Sequence, residues 1–103
     1  MRLESKIERA VVRDARQFGI PVIKMSMPGW PDRCFFIPGG RPLFCEFKQP
    51  GCIPDDLQQT KIEYLDSMGY DVIVATNYDS AMFHIKRLSK IGKNRLTRGD
   101  DAT

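Results

Sequence analysis

The sequence predicts an α/β fold, one domain in which a small mixed sheet is flanked by helices in the order αβββαβα. Three observations carry it. A helical period of apolar residues comes first; two alternating runs joined by a Gly-rich turn follow; then a capped helix leads into another β-rich run and a last amphipathic segment. A chain of 103 residues with 42% apolar content suits one domain with a single modest core.

Leu3, Ile7, Val11, Ala15 and Phe18 recur at helical spacing, and Gly19 with Pro21 ends that helix. VIKMS (22–26) is short and β-rich, and MPGWP is a turn. RCFFI (33–37) and LFCEFK (43–48) read as strands, with PGGR as their hairpin connection. After the loop KQPGCIPDD, Asp55 or Asp56 can cap a second helix to about Met68, with Leu57, Ile62, Leu65 and Met68 on or near one face and Gly69 at its end. YDVIVAT is a fourth strand. A last helix starts near Asp79 or Ser80 and runs through Met82, Phe83, Ile85 and Leu88 to about Ser89, so the domain covers 1–89 and KIGKNRLTRGDDAT (90–103) reads as a flexible polar tail.

The net charge of +3 does not by itself indicate nucleic acid. Residues 1–89 carry 12 Lys/Arg against 11 Asp/Glu, so the excess sits mostly in the last fourteen residues, with 4 against 2. Cys34, Cys45 and Cys52 are odd in number and lack CxxC spacing, which disfavours a zinc site or a disulfide framework and suits reduced, packed thiols. No signal-like h-region opens the chain and no run approaches the roughly 18 apolar residues of a membrane span. The expectation is a cytoplasmic protein without membrane contact.

The stretch LFCEFK is where chemistry enters. Alternation puts Leu43, Cys45 and Phe47 on one face of the strand and Phe44, Glu46 and Lys48 on the other, so an acid and a base project together. Such a pair is either a solvated edge pair or a site, because ions in a central strand cost several kcal/mol each unless paired or bound. A hairpin of this length returns Asp32 to the Glu46 end of the neighbouring strand. Two converging carboxylates raise each other's pKa unless a cation neutralises them, and hard oxygen ligands suit Mg²⁺ or Mn²⁺. The main-chain carbonyl of Phe47 points to the same area. Lys48 could then orient a water or stabilise charge on a phosphate.

Pro31-Asp32 followed by Glu46-x-Lys48 resembles the PD-(D/E)xK nuclease core, and more closely its VRR-NUC branch. "ESKIERAVVRDARQFG" resembles that branch's first helix, "GWPDRCFFIPGGRPLFCEFKQPG" its central hairpin and E-x-K strand, and "PDDLQ" its loop-to-helix glutamine; together they cover about residues 4–88. The resemblance implies a restriction-endonuclease-like core of the stand-alone type found in phages and bacteria, acting as a divalent-metal-dependent DNA endonuclease on branched DNA such as a four-way junction or flap. It implies Asp32 and Glu46, with the Phe47 carbonyl, as ligands of Mg²⁺ or Mn²⁺, Lys48 as the catalytic lysine, and Gln58 as the helix-borne glutamine. The residues support Gln58 over Gln59, since Gln58 lies one turn before Ile62 and two before Leu65 while Gln59 turns toward Glu63.

A first-helix glutamate completes the family site, and Glu4 and Glu8 compete for it. On a helical wheel Glu4 falls between Ile7, Val11 and Ala15 and is favoured, whereas Glu8 lies at the border of that face and is kept as a supporting partner. The opposite face carries Arg2, Lys6, Arg9, Arg13 and Arg16. That stripe is a solvated face or, through Lys6, Arg9 and Arg13, a phosphate-contacting DNA surface. Trp30 can stack on a base or lid the core. His84 is assigned no chemistry. The competing readings are a DNA-binding module that does not cut and a small interaction protein whose charged strand is structural. Cutting both strands of a branched DNA symmetrically needs two sites, so a homodimer is expected, with Met82, Phe83 and Ile85 of the last helix as spare apolar surface.

Overall fold

The computed structural model describes residues 1–101, with side chains described through Lys90. Three helices and four strands follow the expected order: α1 Leu3–Gln17, β1 Val22–Lys24, β2 Arg33–Ile37, β3 Arg41–Phe47, α2 Asp56–Ser67, β4 Asp71–Ala75 and α3 Tyr78–Asp101. The sheet order is β1-β2-β3-β4; the first three strands form an antiparallel meander, and α2 carries the chain across so that β4 pairs parallel to β3.

The register explains which side chains meet. Phe35 pairs with Val22 and Leu43, and Arg33 with Lys24 and Cys45. Residues directly opposite share a face, so Val22, Phe35, Ile37, Leu43, Cys45, Phe47 and Ala75 form one apolar surface. On it pack Val11, Val12 and Ala15 of α1 and Ala81, Met82, Ile85 and Leu88 of α3, which make the core. The other face carries Ile23, Cys34, Phe36, Phe44 and Glu46, and α2 packs beside it along β4. The hairpin is three residues, Pro38-Gly39-Gly40, with Ile37 paired to Arg41; Gly39 and Gly40 take φ of 92° and 75°, a region costly for any residue with a Cβ.

Several boundaries and assignments differ from the sequence reading. β1 ends at Lys24 rather than 26, and β3 begins at Arg41, two residues early, because the three-residue turn leaves Arg41 free to pair. α3 starts at Tyr78 because the Asn77 side chain accepts the Ser80 N–H at 2.8 Å and caps it. It continues to Asp101, past the expected end near Ser89. The side chains from 91 on, and with them the flexible-tail reading of 90–103, lie outside the described residues. In α2 only Leu65 is buried, and Leu57 and Met68 are about half exposed at 51% and 48%. Met82 and Ile85 are not spare interface surface: α3 packs on α1 as well as on the sheet, and both residues are consumed by that core, leaving Phe83 exposed. Among the described residues no helix is long and apolar enough to cross a membrane.

Candidate metal centre

Continuing the β2–β3 register beyond Arg33–Cys45 sets Asp32 opposite Glu46 and Pro31 opposite Phe47. Asp32 and Glu46 thus form a pair on the α2 side of the sheet, in the class of cross-strand pair whose side chains approach most closely. Phe47 donates its N–H to Asp32 Oδ2 at 2.8 Å, so its amide faces β2. In an extended strand the carbonyl of the same residue points to the same side, and Pro31 opposite has no N–H to offer it. Pro31 therefore ends the ladder where an oxygen is wanted.

Glu46 is the one buried charged side chain among the described residues, 2% exposed. Its Oε2 accepts from Gln58 Nε2 at 2.9 Å and lies 3.3 Å from Lys48 Nζ, while Oε1 is buried without a hydrogen-bond partner. A buried, unpartnered carboxylate oxygen is costly and calls for a missing neighbour. Burial, and then the charge of Asp32, push the Glu46 carboxyl up to about 7, against the restraining hydrogen bond and charge of Lys48 and the nearby Asp32 backbone N–H, which does not reach hydrogen-bond geometry with Oε1. Burial also raises Asp32, opposed by the Phe47 N–H and reinforced by the charge of Glu8. Among the described residues no three His, Cys, Asp or Glu side chains gather into a closed cage. Two carboxylates and a carbonyl nevertheless fit Mg²⁺ or Mn²⁺, since Mg²⁺ characteristically keeps several waters and takes only one or two carboxylates. The donor set is all hard oxygen, and Oε1 of Glu46 has no hydrogen-bond partner among the described residues.

The elements around this pair bring in most of the other expected residues. Gln58 reaches Glu46 from the first turn of α2, whereas Gln59 donates to Glu63 Oε1 at 3.1 Å on the exposed side. Glu8 accepts from Arg33 Nε at 2.6 Å, lies 4.0 Å from Lys24 Nζ, and acts electrostatically on Asp32. Glu4 instead lies 3.5 Å from Arg2. Arg33 and Lys24 escaped the sequence reading. Their signal was alternation: with Asp32 facing α2, Arg33 had to face α1 and needed an acid there. Lys61, also missed, sits 5.1 Å over the Trp30 ring, and three-residue spacing from Gln58 on α2 was the available clue. Gly29 lets this loop close on α2, because a Cβ there would lie 2.4 Å from Leu57 Cγ. Lys6, Arg9 and Arg13 line an exposed groove with Met1 and Ala10 on the far side of α1 and are not brought to the carboxylates. His84 stacks edge-on with Phe83, away from the site.

No protein-family model matches the chain. A phage protein, "Putative nuclease p44" of Acyrthosiphon pisum secondary endosymbiont phage 1, is 36% identical over 79 residues, covering 74% of this chain and 85% of that protein. The chain belongs to the same nuclease family as this phage protein. A solved VRR-NUC domain superposes with a TM-score of 0.73 at 24% identity, over 81% of this chain and 94% of its own, and shares the fold of three helices around a four-stranded mixed sheet. Within this chain Glu46 lies in β3 and Asp32 is the residue just before β2, and these two strands pair over five residues from Arg33–Cys45 to Ile37–Arg41.

Proposed function

We propose that this chain is a VRR-NUC-type nuclease, a divalent-metal-dependent DNA endonuclease selective for branched DNA and active as a homodimer. The observation that carries the reading is the buried Glu46, opposite Asp32, with Lys48 and Gln58 on one carboxylate oxygen and the other left open. Asp32, Glu46 and the Phe47 carbonyl would hold Mg²⁺ or Mn²⁺. A cation bound there supplies Lewis-acid charge neutralisation at the scissile phosphate. In the hydrolysis, a water oxygen bonds to phosphorus as one P–O ester bond breaks, leaving a phosphomonoester and an alcohol; the proton lost by the water balances the one gained by the alcohol. Lys48 spends one N–H on Glu46 and keeps two donors, which orient the water and stabilise charge building on the phosphate. Gln58 holds Glu46 in place throughout. Trp30, half-buried beneath Lys61, offers a stacking face beside the site, and Lys6, Arg9 and Arg13 suit phosphate contacts to an arm of DNA that passes around α1.

For the first-helix carboxylate the geometry favours Glu8 over the wheel-based choice of Glu4. Glu8→Gln is expected to slow Mn²⁺-supported cleavage by about tenfold, as loss of a group supporting a metal ligand typically does, and Glu4→Gln to leave it near wild type. Side-by-side rates that fall in the reverse order return the role to Glu4. The function itself is tested by incubating four-way junction, flap and linear duplex with Mg²⁺, Mn²⁺, Ca²⁺ or chelator, with light scattering at micromolar concentration. Failure to cut any substrate with Mg²⁺ or Mn²⁺ removes the endonuclease reading. A monomer that prefers flaps removes only the dimeric, junction-cutting part.

A further inference from the structure

A single side chain joins α2 to the buried carboxylate, and both ends of its amide are engaged. Gln58 Oε1 accepts the Asp55 backbone N–H at 2.9 Å, and Gln58 Nε2 donates to Glu46 Oε2 at 2.9 Å. The first bond fixes the second, because a flipped amide would set its NH₂ against a backbone donor and its oxygen against a carboxylate. The backbone of Gln58 is anchored in turn: Asp55 Oδ1 accepts its N–H at 2.8 Å, completing a capping box. Asp55 is exposed, and a cap in such a place ordinarily does no more than stabilise its helix. Here α2 buries only Leu65; Leu57 in the first turn meets the Gly29 loop but stays half exposed, and the cap is what fixes the backbone from which the amide is aimed.

We propose that Asp55 is a positioning residue for the cation site, acting through Gln58 to keep Nε2 on Glu46 Oε2 and so leave Glu46 Oε1 open. The inference rests on the nuclease reading above and extends it to a residue that touches neither cation nor DNA. Three variants separate aim from helix stability. Asp55→Ala removes the cap acceptor, Asp55→Ser restores one, and Thr60→Gly weakens the middle of α2 at an exposed position away from the site.

Two measurements are made on each variant: the Mn²⁺ dissociation constant by calorimetry, and the side-chain NH₂ resonances of Gln58 by NMR in cation-free protein. Asp55→Ala should weaken Mn²⁺ binding on the order of tenfold and move the Gln58 resonances toward those of a solvent-exposed glutamine. Asp55→Ser should restore both, and Thr60→Gly should lower the melting temperature while leaving both unchanged. Wild-type affinity and resonances in Asp55→Ala, or a Thr60→Gly variant that reproduces the loss, overturn the positioning role. Wild-type protein that binds no Mn²⁺ overturns the cation-site reading itself, an outcome visible before any variant is made.

Discussion

Asp32→Ala, Glu46→Ala and Lys48→Ala should each lower metal-dependent cleavage by about 10³-fold, the scale seen when one preorganised charge-stabilising group is deleted from an active site. Each acts on a different element of the same geometry. Asp32→Ala removes one carboxylate of the cross-strand pair and the acceptor of the Phe47 N–H; Glu46→Ala removes the open oxygen; Lys48→Ala removes the ammonium 3.3 Å from it. None of the three side chains belongs to the apolar cluster formed by α1, α3 and the sheet, so circular dichroism and a cooperative melt should persist in all three. Three folded variants that all cut at the wild-type rate would show that the site lies elsewhere.

The second large effect is on stability as a function of pH. An unfolded glutamate titrates near 4.5, while folded Glu46 resists ionisation until about 7 because it is buried beside Asp32. Between these values the unfolded chain releases its proton first, so cation-free protein loses stability as pH rises from about 4.5 to about 7 and then levels off. Asp32, also raised, adds in the same direction starting from 3.8. Asp14 works oppositely and in a lower window: its hydrogen bonds from Arg13 and Tyr78 hold it below 3.8, so its contribution is lost only as acid is added. Mn²⁺ should raise the melting temperature strongly at pH 8, where it binds a carboxylate already ionised, and weakly at pH 5, where it must displace a proton. Glu46→Gln should remove the part of the decline that runs up to about 7, leaving the smaller one that Asp32 contributes at lower pH, and should sharply reduce the gain from Mn²⁺. Melting curves from pH 5 to 8.5 with chelator and with Mn²⁺ decide it; a wild-type profile that matches Glu46→Gln would mean that Glu46 ionises freely.

Much of the site was legible because strand period and hairpin length are discrete. A short Gly-rich connection and an alternation of two bring Asp32 to the Glu46 end of the neighbouring strand, and the structure sets the turn at three residues with Asp32 opposite Glu46. The choice of Gln58 over Gln59 was legible for a similar reason, since neighbouring helix positions differ by 100° in direction. Which arginine each first-helix glutamate pairs with was not. A wheel gives rotation and says nothing of height along the axis, and Glu4 lies about 6 Å from Glu8 in that direction, enough to pair it with Arg2 instead of Arg33. The fate of Met82 and Ile85 was hidden because their burial depends on α3 also packing against α1, a contact that no local period encodes.

Pro31 shows what an unfinished sheet is worth. Any other residue there could extend the β2–β3 ladder by giving its N–H to the Phe47 carbonyl, and that exchange would close the oxygen on which a cation could rest. Proline forbids the closure by lacking the proton. The ordering of the hairpin is thus halted one rung short, and the Phe47 carbonyl is left without the partner that an N–H at position 31 would supply.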